Sequence, residues 1–415
     1  MKVALVHDYL TEYGGAERVL EAIHEIWPEA PVFTSLFDEN VIAGLVPALN
    51  LGDHKGRNYR WDIRPSRMQK FPFVRWLSKQ YTFFYPLVFE HFDLREYDVI
   101  ISDGTIWSKG VLTTPEQLHI HYCHTPARFL YHYGAESSRR DVWYYRPVVK
   151  ILDHYLRIWD FESAQRPDFI IANSKTVGER VRKFWRREAT VIYPPVSLVS
   201  EQLRKLSESE RQKNQSVRNS DTSDAPTFRR SDAPSYSEFS GNPYFLVVSR
   251  LSAYKNIDLA IEACNKLNLP LVIVGTGREE ERLKALAGKN IKFMDFVEDQ
   301  ELSKLYKACK ALIFPVSDED FGIVPVEAMS FGKPVIALRS GGVQETVVEG
   351  KTGVFFDQPT VESLVAAIER FEGGLKGVKG VKEDCVARAK GFSKERFQQQ
   401  FREFVENKWK ERFKG

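Results

Sequence analysis

Cysteine is sparse. The four residues Cys123, Cys264, Cys309 and Cys385 are far apart and form no Cys-x-x-Cys pair, which excludes a disulfide framework or a structural zinc site and fits a reducing cytoplasm. An excess of either charge is also lacking, since 59 Lys plus Arg against 56 Asp plus Glu leave a net of +3. Nothing therefore marks a nucleic-acid partner, and anions must be bound locally. No stretch approaches the length of apolar sequence that crosses a bilayer. The opening MKVALVHDYL breaks its short apolar run at His7 and Asp8, unlike a secretory signal. A cytoplasmic location is expected, with any membrane contact peripheral, on the inner face of the cytoplasmic membrane.

What is present is alternation. Val3 to Val6 reads as a buried strand, and TEYGGAERVLEAIHEIW supplies a Gly-Gly turn and an amphipathic helix. APVFTSLF, DVIISDG, LHIHYCH, DFIIANS and ATVIYPPV are further strands in the spacing of a parallel sheet. After a polar stretch rich in Ser, Asp, Asn and Arg, the strands YFLVVSRL, LPLVIVGTG, IKFMDFV, KALIFPV and KPVIALRSGG alternate with helices such as NIDLAIEACNKL and DQELSKLYKAC. The expected class is α/β with two doubly wound domains: residues 1–198, a linker or mobile loop at 199–241, a second domain at 242–391 and a C-terminal amphipathic helix at 392–415. EGGLKGVKGVKEDC reads as a solvated loop. In the last segment Phe397, Phe401, Phe404, Val405 and Trp409 share one helical stripe, which docks on the protein or lies on a membrane.

SDEDFGIVPVEAMSFGKPVIA holds the most specific pattern. KALIFPV places SDEDFG at the carboxyl end of a strand, where open α/β sheets bind ligands. Pro325 suits a first helical turn, so the amides from Phe321 to Val326, Pro325 excepted, form an anion site at a helix N-terminus. Glu319 precedes the helix and Glu327 falls in its first turn. A carboxylate beside an anion site suits neutral hydroxyls next to a phosphate, as in a nucleotide sugar. Each glutamate alone reads equally as a solvated or dipole-favoured charge.

Glu319 and Glu327 in EDFGIVPVE, with the following AMSFGKPVIA, resemble the retaining glycosyltransferases of family 4. The resemblance runs along nearly the whole chain apart from the linker. It implies the GT-B architecture of two Rossmann-like domains facing a cleft, with a nucleotide-sugar donor in the C-terminal domain and the acceptor in the N-terminal one. In VVSRLSAYKNID, Arg250 and Lys255 match the cations that hold the donor diphosphate and its departing charge, so no metal and no other cofactor is expected. Gly15, Gly322 and Ile323 are implied as main-chain donors to the diphosphate, Glu327 as the ribose ligand, and Glu319, Phe321 and His124 of HYCHTPARF as contacts of the transferred sugar. Glu319 and His124 are the catalytic candidates. Gly14, Arg128, Gly341 and Gly342 are implied as acceptor or loop contacts. Taken alone, His124 reads as a structural hydrogen bond, the Gly-Gly pairs as tight turns and the two cations as surface charge. Gly275 and Gly277 of VGTG suit turn geometry. Asp295 stands where the family often has glycine, which bears on base preference.

HDYLTEYGGAERV with YCHTPARF is most similar to the bacterial mannosyltransferase branch of O-antigen and exopolysaccharide assembly, which implies GDP-mannose as donor and a saccharide or polyprenyl-linked saccharide as acceptor. A UDP-sugar is the alternative donor. The segment RPSRMQKFPFVRWLSKQYTFFYPLVF interleaves Arg64, Arg67, Lys70, Arg75 and Lys79 with aromatics, as a structural helix pair or as a surface for anionic headgroups. Two rival classes remain open: a metal-dependent transferase using Asp318 and Asp320 as an Asp-x-Asp pair, and a nucleotide-sugar binder without catalysis.

Overall fold

A computed structural model describes residues 1–38, 61–71, 80–133, 146–196, 243–295, 297–375 and 380–413. The chain divides into two compact units, Met1–Pro195 with Lys394–Gly415, and Val196–Ser393. The expected linker at 199–241 lies outside the described residues.

The first unit is built on β1 (Val3–His7), β2 (Val32–Thr34), β3 (Ile63–Pro65), β4 (Val99–Gly104), β5 (Leu118–Cys123), β6 (Phe169–Ala172) and β7 (Thr190–Val191). They form one sheet in the order β3-β2-β1-β4-β5-β6-β7, with every pair parallel. The two-residue period of a strand divides its side chains between two layers. Val3 and Leu5 enter one apolar cluster with Ile101, while Ala4 and Val6 enter another with Ile100. β3 went unread in the sequence because IRP offers one apolar residue and a proline at an edge.

The second unit carries β8 (Phe245–Val248), β9 (Leu271–Val274), β10 (Ile291–Met294), β11 (Ala311–Phe314), β12 (Val335–Leu338) and β13 (Gly353–Phe356). Their order is β10-β9-β8-β11-β12-β13, again all parallel. Each sheet reverses its order once, at β1/β4 and at β8/β11. Ligands of open α/β sheets bind outside the carboxyl ends of strands at such points.

The helix Lys394–Phe413 completes the first unit. Phe397, Phe401 and Val405 are buried in the cluster of Val3, Leu5 and Ile120, with Phe404 and Trp409 packed partly against it. Full burial of one such side chain stabilises by about 1.5–3 kcal/mol, so of its two readings the stripe takes docking on the protein. One expectation is corrected. EGGLKGVKGVKEDC is not wholly loop, because its last residues belong to the helix Val381–Lys390, started at Gly380 with φ +98°. Cys385 and Ala389 give that helix a narrow buried face that the Lys- and Gly-rich composition obscures.

Candidate active site

In the second unit the chain leaving β8 passes Arg250 and forms a short 3-10 turn, Ala253–Lys255. Asn256 ends the turn in the left-handed region, with φ +50°. Its side-chain amide donates to the Pro315 carbonyl at 3.0 Å and the Ser317 hydroxyl at 2.8 Å, tying the exits of β8 and β11 together. Across this join Lys255 Nζ donates to Glu319 Oε2 at 2.8 Å, with side chains 13% and 21% exposed. Burial opposes the Lys255 charge, but the Glu319 carboxylate and the Tyr254 phenol outweigh it, and its pKa lies above the ordinary lysine value. Glu319 Oε1 has no protein partner among the described residues, which leaves an acceptor at the mouth of the sheet.

Arg250 and Lys255 meet at Tyr254. Arg250 Nη2 lies 3.4 Å from the Tyr254 hydroxyl, and Lys255 Nζ stands 4.8 Å from the ring centroid. Behind them Gly275 and Gly277 allow a close approach that no side chain could make. A Cβ on Gly275 would sit 2.0 Å from the Ser249 carbonyl oxygen, and one on Gly277 2.2 Å from that of Leu251.

The helix after SDEDFG runs Ile323–Ser330, with Gly322 at its N-cap and φ +90°. It starts two residues earlier than Pro325 suggests. Glu327 therefore falls beyond the first turn, a correction to its expected position: it is buried, and its Oε2 accepts from Tyr306 at 3.2 Å. Gly322 and Ile323 stand at the helix start, where amides lack intrahelical acceptors. The Phe321 ring is buried 5.3 Å from that of Phe392. Gly341 and Gly342 pack against the Glu319 loop. The Gly342 amide donates to the Glu319 carbonyl at 2.8 Å. A Cβ on Gly341, where φ is +70°, would lie 2.2 Å from that same oxygen. The pair shapes the glutamate loop. Among the described residues, no group of three His, Cys, Asp or Glu side chains is placed to hold a metal ion.

The first unit brings together a different set. Asp103, at the end of β4, stands between two imidazoles. His7 Nδ1 is 3.0 Å from its Oδ2, and His124 Nε2 is 2.7 Å from its Oδ1, close in charge though not aligned as a hydrogen bond. His7 Nε2 lies 3.6 Å from Glu17 Oε1, and Glu17 Oε2 accepts the Gly14 amide at 2.8 Å. Burial opposes every charge here. Even so, Asp103 and Glu17 hold His7 well above the ordinary imidazole value, Asp103 raises His124, and the two imidazoles hold Asp103 below the usual carboxylate range. Gly15 opens the helix Gly15–His24 beside this chain. Asp8 is spent on structure, accepting the amides of Thr105, Ile106, Trp107 and Ser108 at 2.7–3.0 Å. Arg128 opens the short helix Arg128–Tyr131, and its guanidinium is 5.8 Å from the Tyr133 ring, which Arg180 also faces at 4.8 Å.

Sequence reading missed His7, Glu17, Asp103, Tyr254 and Asn256. His7 and Asp103 carried a usable signal, since both end strands that flank the reversal point.

Residues 228–375 match the family "Glycosyl transferases group 1". Over those residues the chain is similar to the group 1 glycosyl transferases. The alpha-1,3/1,6-mannosyltransferase ALG2 of Dictyostelium discoideum is 26% identical over 312 residues, 67% of this chain and 68% of that protein. ALG2 of Debaryomyces hansenii is 26% identical over 404 residues, 84% of this chain and 76% of that one. The crystal structure of Anabaena Alr3699/HepE with UDP-glucose superposes with a TM-score of 0.63 at 18% identity, covering 98% of this chain and all of the other. The architecture is that of the GT-B glycosyltransferases, two Rossmann-like parallel-sheet domains.

Proposed function

We propose that the protein is a retaining glycosyltransferase that moves mannose from GDP-mannose to a saccharide or lipid-linked saccharide in cell-surface polysaccharide synthesis. The observation that carries this is the Lys255–Glu319 pair at the β8/β11 reversal, beside the start of the helix Ile323–Ser330. Lys255 and Arg250 neutralise the donor diphosphate and its leaving charge, while the main chain at Gly322 and Ile323 offers amides to the same oxygens. Glu319 accepts from a sugar hydroxyl through its free Oε1, and Glu327, braced by Tyr306, takes the ribose. For the first unit the family resemblance implies Gly15 as a diphosphate donor, His124 as a sugar contact, and Gly14 and Arg128 as acceptor or loop contacts. Fixed cations supply the charge stabilisation that a metal gives elsewhere. The leaving phosphate takes the acceptor proton on the face it departs from, which keeps the anomeric configuration. ALG2, the mannosyltransferase similar over most of the chain, supports the sugar.

A peripheral contact with anionic lipid belongs to the same reading. Ile63 to Phe89 contains five cations, Arg64, Arg67, Lys70, Arg75 and Lys79, and no acidic residue; of these Arg75 and Lys79 lie outside the described residues. Phe83 and Leu87 are exposed in that run. The helix Arg146–Ser163 exposes Val148, Ile151, Tyr155 and Ile158 along one stripe. No helix among the described residues is long and apolar enough to cross a membrane. Co-sedimentation with vesicles containing phosphatidylglycerol, and its loss in Ile151→Asp with Leu87→Asp, checks this contact.

Transfer is tested with labelled GDP-mannose, EDTA and lipid-linked saccharide acceptors, with the anomeric configuration of the product read by NMR. A retained mannosyl product supports the reading, and an inverted product or dependence on metal sinks it. Alr3699/HepE, of the same fold and crystallised with UDP-glucose, favours a UDP-sugar as the second reading. Turnover of UDP-sugars alone selects it, and donor binding without transfer to any acceptor selects a non-catalytic binder.

A further inference from the structure

His124 has one committed nitrogen and one open one. Nε2 is buried against Asp103, whereas Nδ1 has no hydrogen-bond partner among the described residues. Asp103 is 1% exposed, and its other oxygen is held by His7. An isolated imidazole flips about its outer torsion and exchanges tautomers; a carboxylate fixed on one nitrogen stops both and assigns the other to a ligand. The alternation Glu17, His7, Asp103, His124 also balances two negative against two positive groups, which is how buried charges are tolerated.

We propose that Asp103 is a positioning residue: it fixes the His124 ring with Nδ1 outward, is itself fixed by His7, and through Glu17 links that ring to the Gly14–Gly15 turn. His124 then donates from Nδ1 to an oxygen of the bound sugar or phosphate as an imidazolium. Its consequence for catalysis rests on the transferase reading; its consequence for the ring does not. The titratable groups facing His124 are Asp103 from β4, His7 from β1, Glu17 from the helix Gly15–His24, and Tyr122 and His121 from β5. Of these, Asp103 supplies the main attraction for the charge, and the His7 charge opposes it.

Asp103→Asn keeps the shape and removes the charge. In that variant kcat falls about tenfold or more while the donor KM stays within about twofold. The alkaline limb of the kcat profile moves to lower pH, because an unsupported imidazolium loses its proton sooner. Imidazole nitrogen spectra of the full chain, with His124 assigned through His124→Asn, show the ring keeping its proton to higher pH in the parent than in Asp103→Asn. His7→Gln removes a neighbouring positive charge and so moves the same signal the opposite way, to higher pH, and serves if Asp103→Asn does not fold. An unchanged His124 titration in both variants overturns the proposal, as does a lower Tm with an unmoved pH profile. If the parent transfers no sugar at all, the functional reading fails while the spectra still decide the ring.

Discussion

Two lysine–carboxylate pairs, one in each unit, have nearly the same length and opposite surroundings. Lys109 Nζ and Asp160 Oδ1 are 2.7 Å apart with both side chains fully buried. The Ile106 carbonyl takes a second ammonium proton. Tyr131 and Trp185 both donate to Asp160 Oδ2, at 2.8 and 2.7 Å, and the Trp185 ring covers the ammonium at 4.8 Å. Lys255 and Glu319, at 2.8 Å, are only part-buried and leave a carboxylate oxygen without a partner among the described residues. A buried pair stabilises only when every remaining valence is satisfied. The first pair meets that condition and has nothing left to offer a ligand. The second is incomplete at the mouth of a sheet, which is what a binding site requires.

The contrast is sharpened most by Asp160→Asn, which strands the Lys109 ammonium among aromatic rings. It should cost the first unit about 3–5 kcal/mol, read as a lower urea midpoint in the fluorescence of the Trp185 region. The matching change in the second unit, Lys255→Met, should cost less than that, because the pair is only part-buried, yet slow transfer roughly 10²–10³-fold. A second unit that unfolds instead would erase the distinction. Gly341→Ala comes next. With φ at +70° and the Glu319 carbonyl in its way, it should cost about 1–3 kcal/mol and weaken donor binding by displacing Glu319, as calorimetry of the folded variant would show.

The smallest effect is in pH, and it concerns the first unit alone. His7 and His124 have raised pKa values, so the stability they contribute is full below the ordinary 6.5 and is lost as pH rises through their folded values. His24, His119 and His121 are buried with lowered values, so the unfolded chain takes up protons that the fold refuses as pH falls below 6.5. The opposing slopes place maximal stability near the ordinary imidazole value. Urea midpoints that rise or fall steadily through that region would contradict the assignment of these charges.

Much of the fold was legible because buried parallel strands such as VALVH and ALIF are continuous apolar runs bounded by turn residues. Strand ends were legible too, and they located Lys255, Glu319 and His124. Less legible was anything fixed by contacts distant in sequence. Asp103 and His7 are 96 residues apart, and no local pattern pairs them. The start of the helix Ile323–Ser330 was misplaced because Gly322, at φ +90°, lets it begin ahead of the proline. The helix Val381–Lys390 was hidden by polar composition around two small buried residues.

The part-open pair at β8/β11 is proposed as a diphosphate site. Its most direct test is titration calorimetry of GDP, with EDTA present, into the parent chain and into Lys255→Met. The parent should bind GDP, and the variant about tenfold or more weakly. Equal affinities would contradict it and place the nucleotide elsewhere.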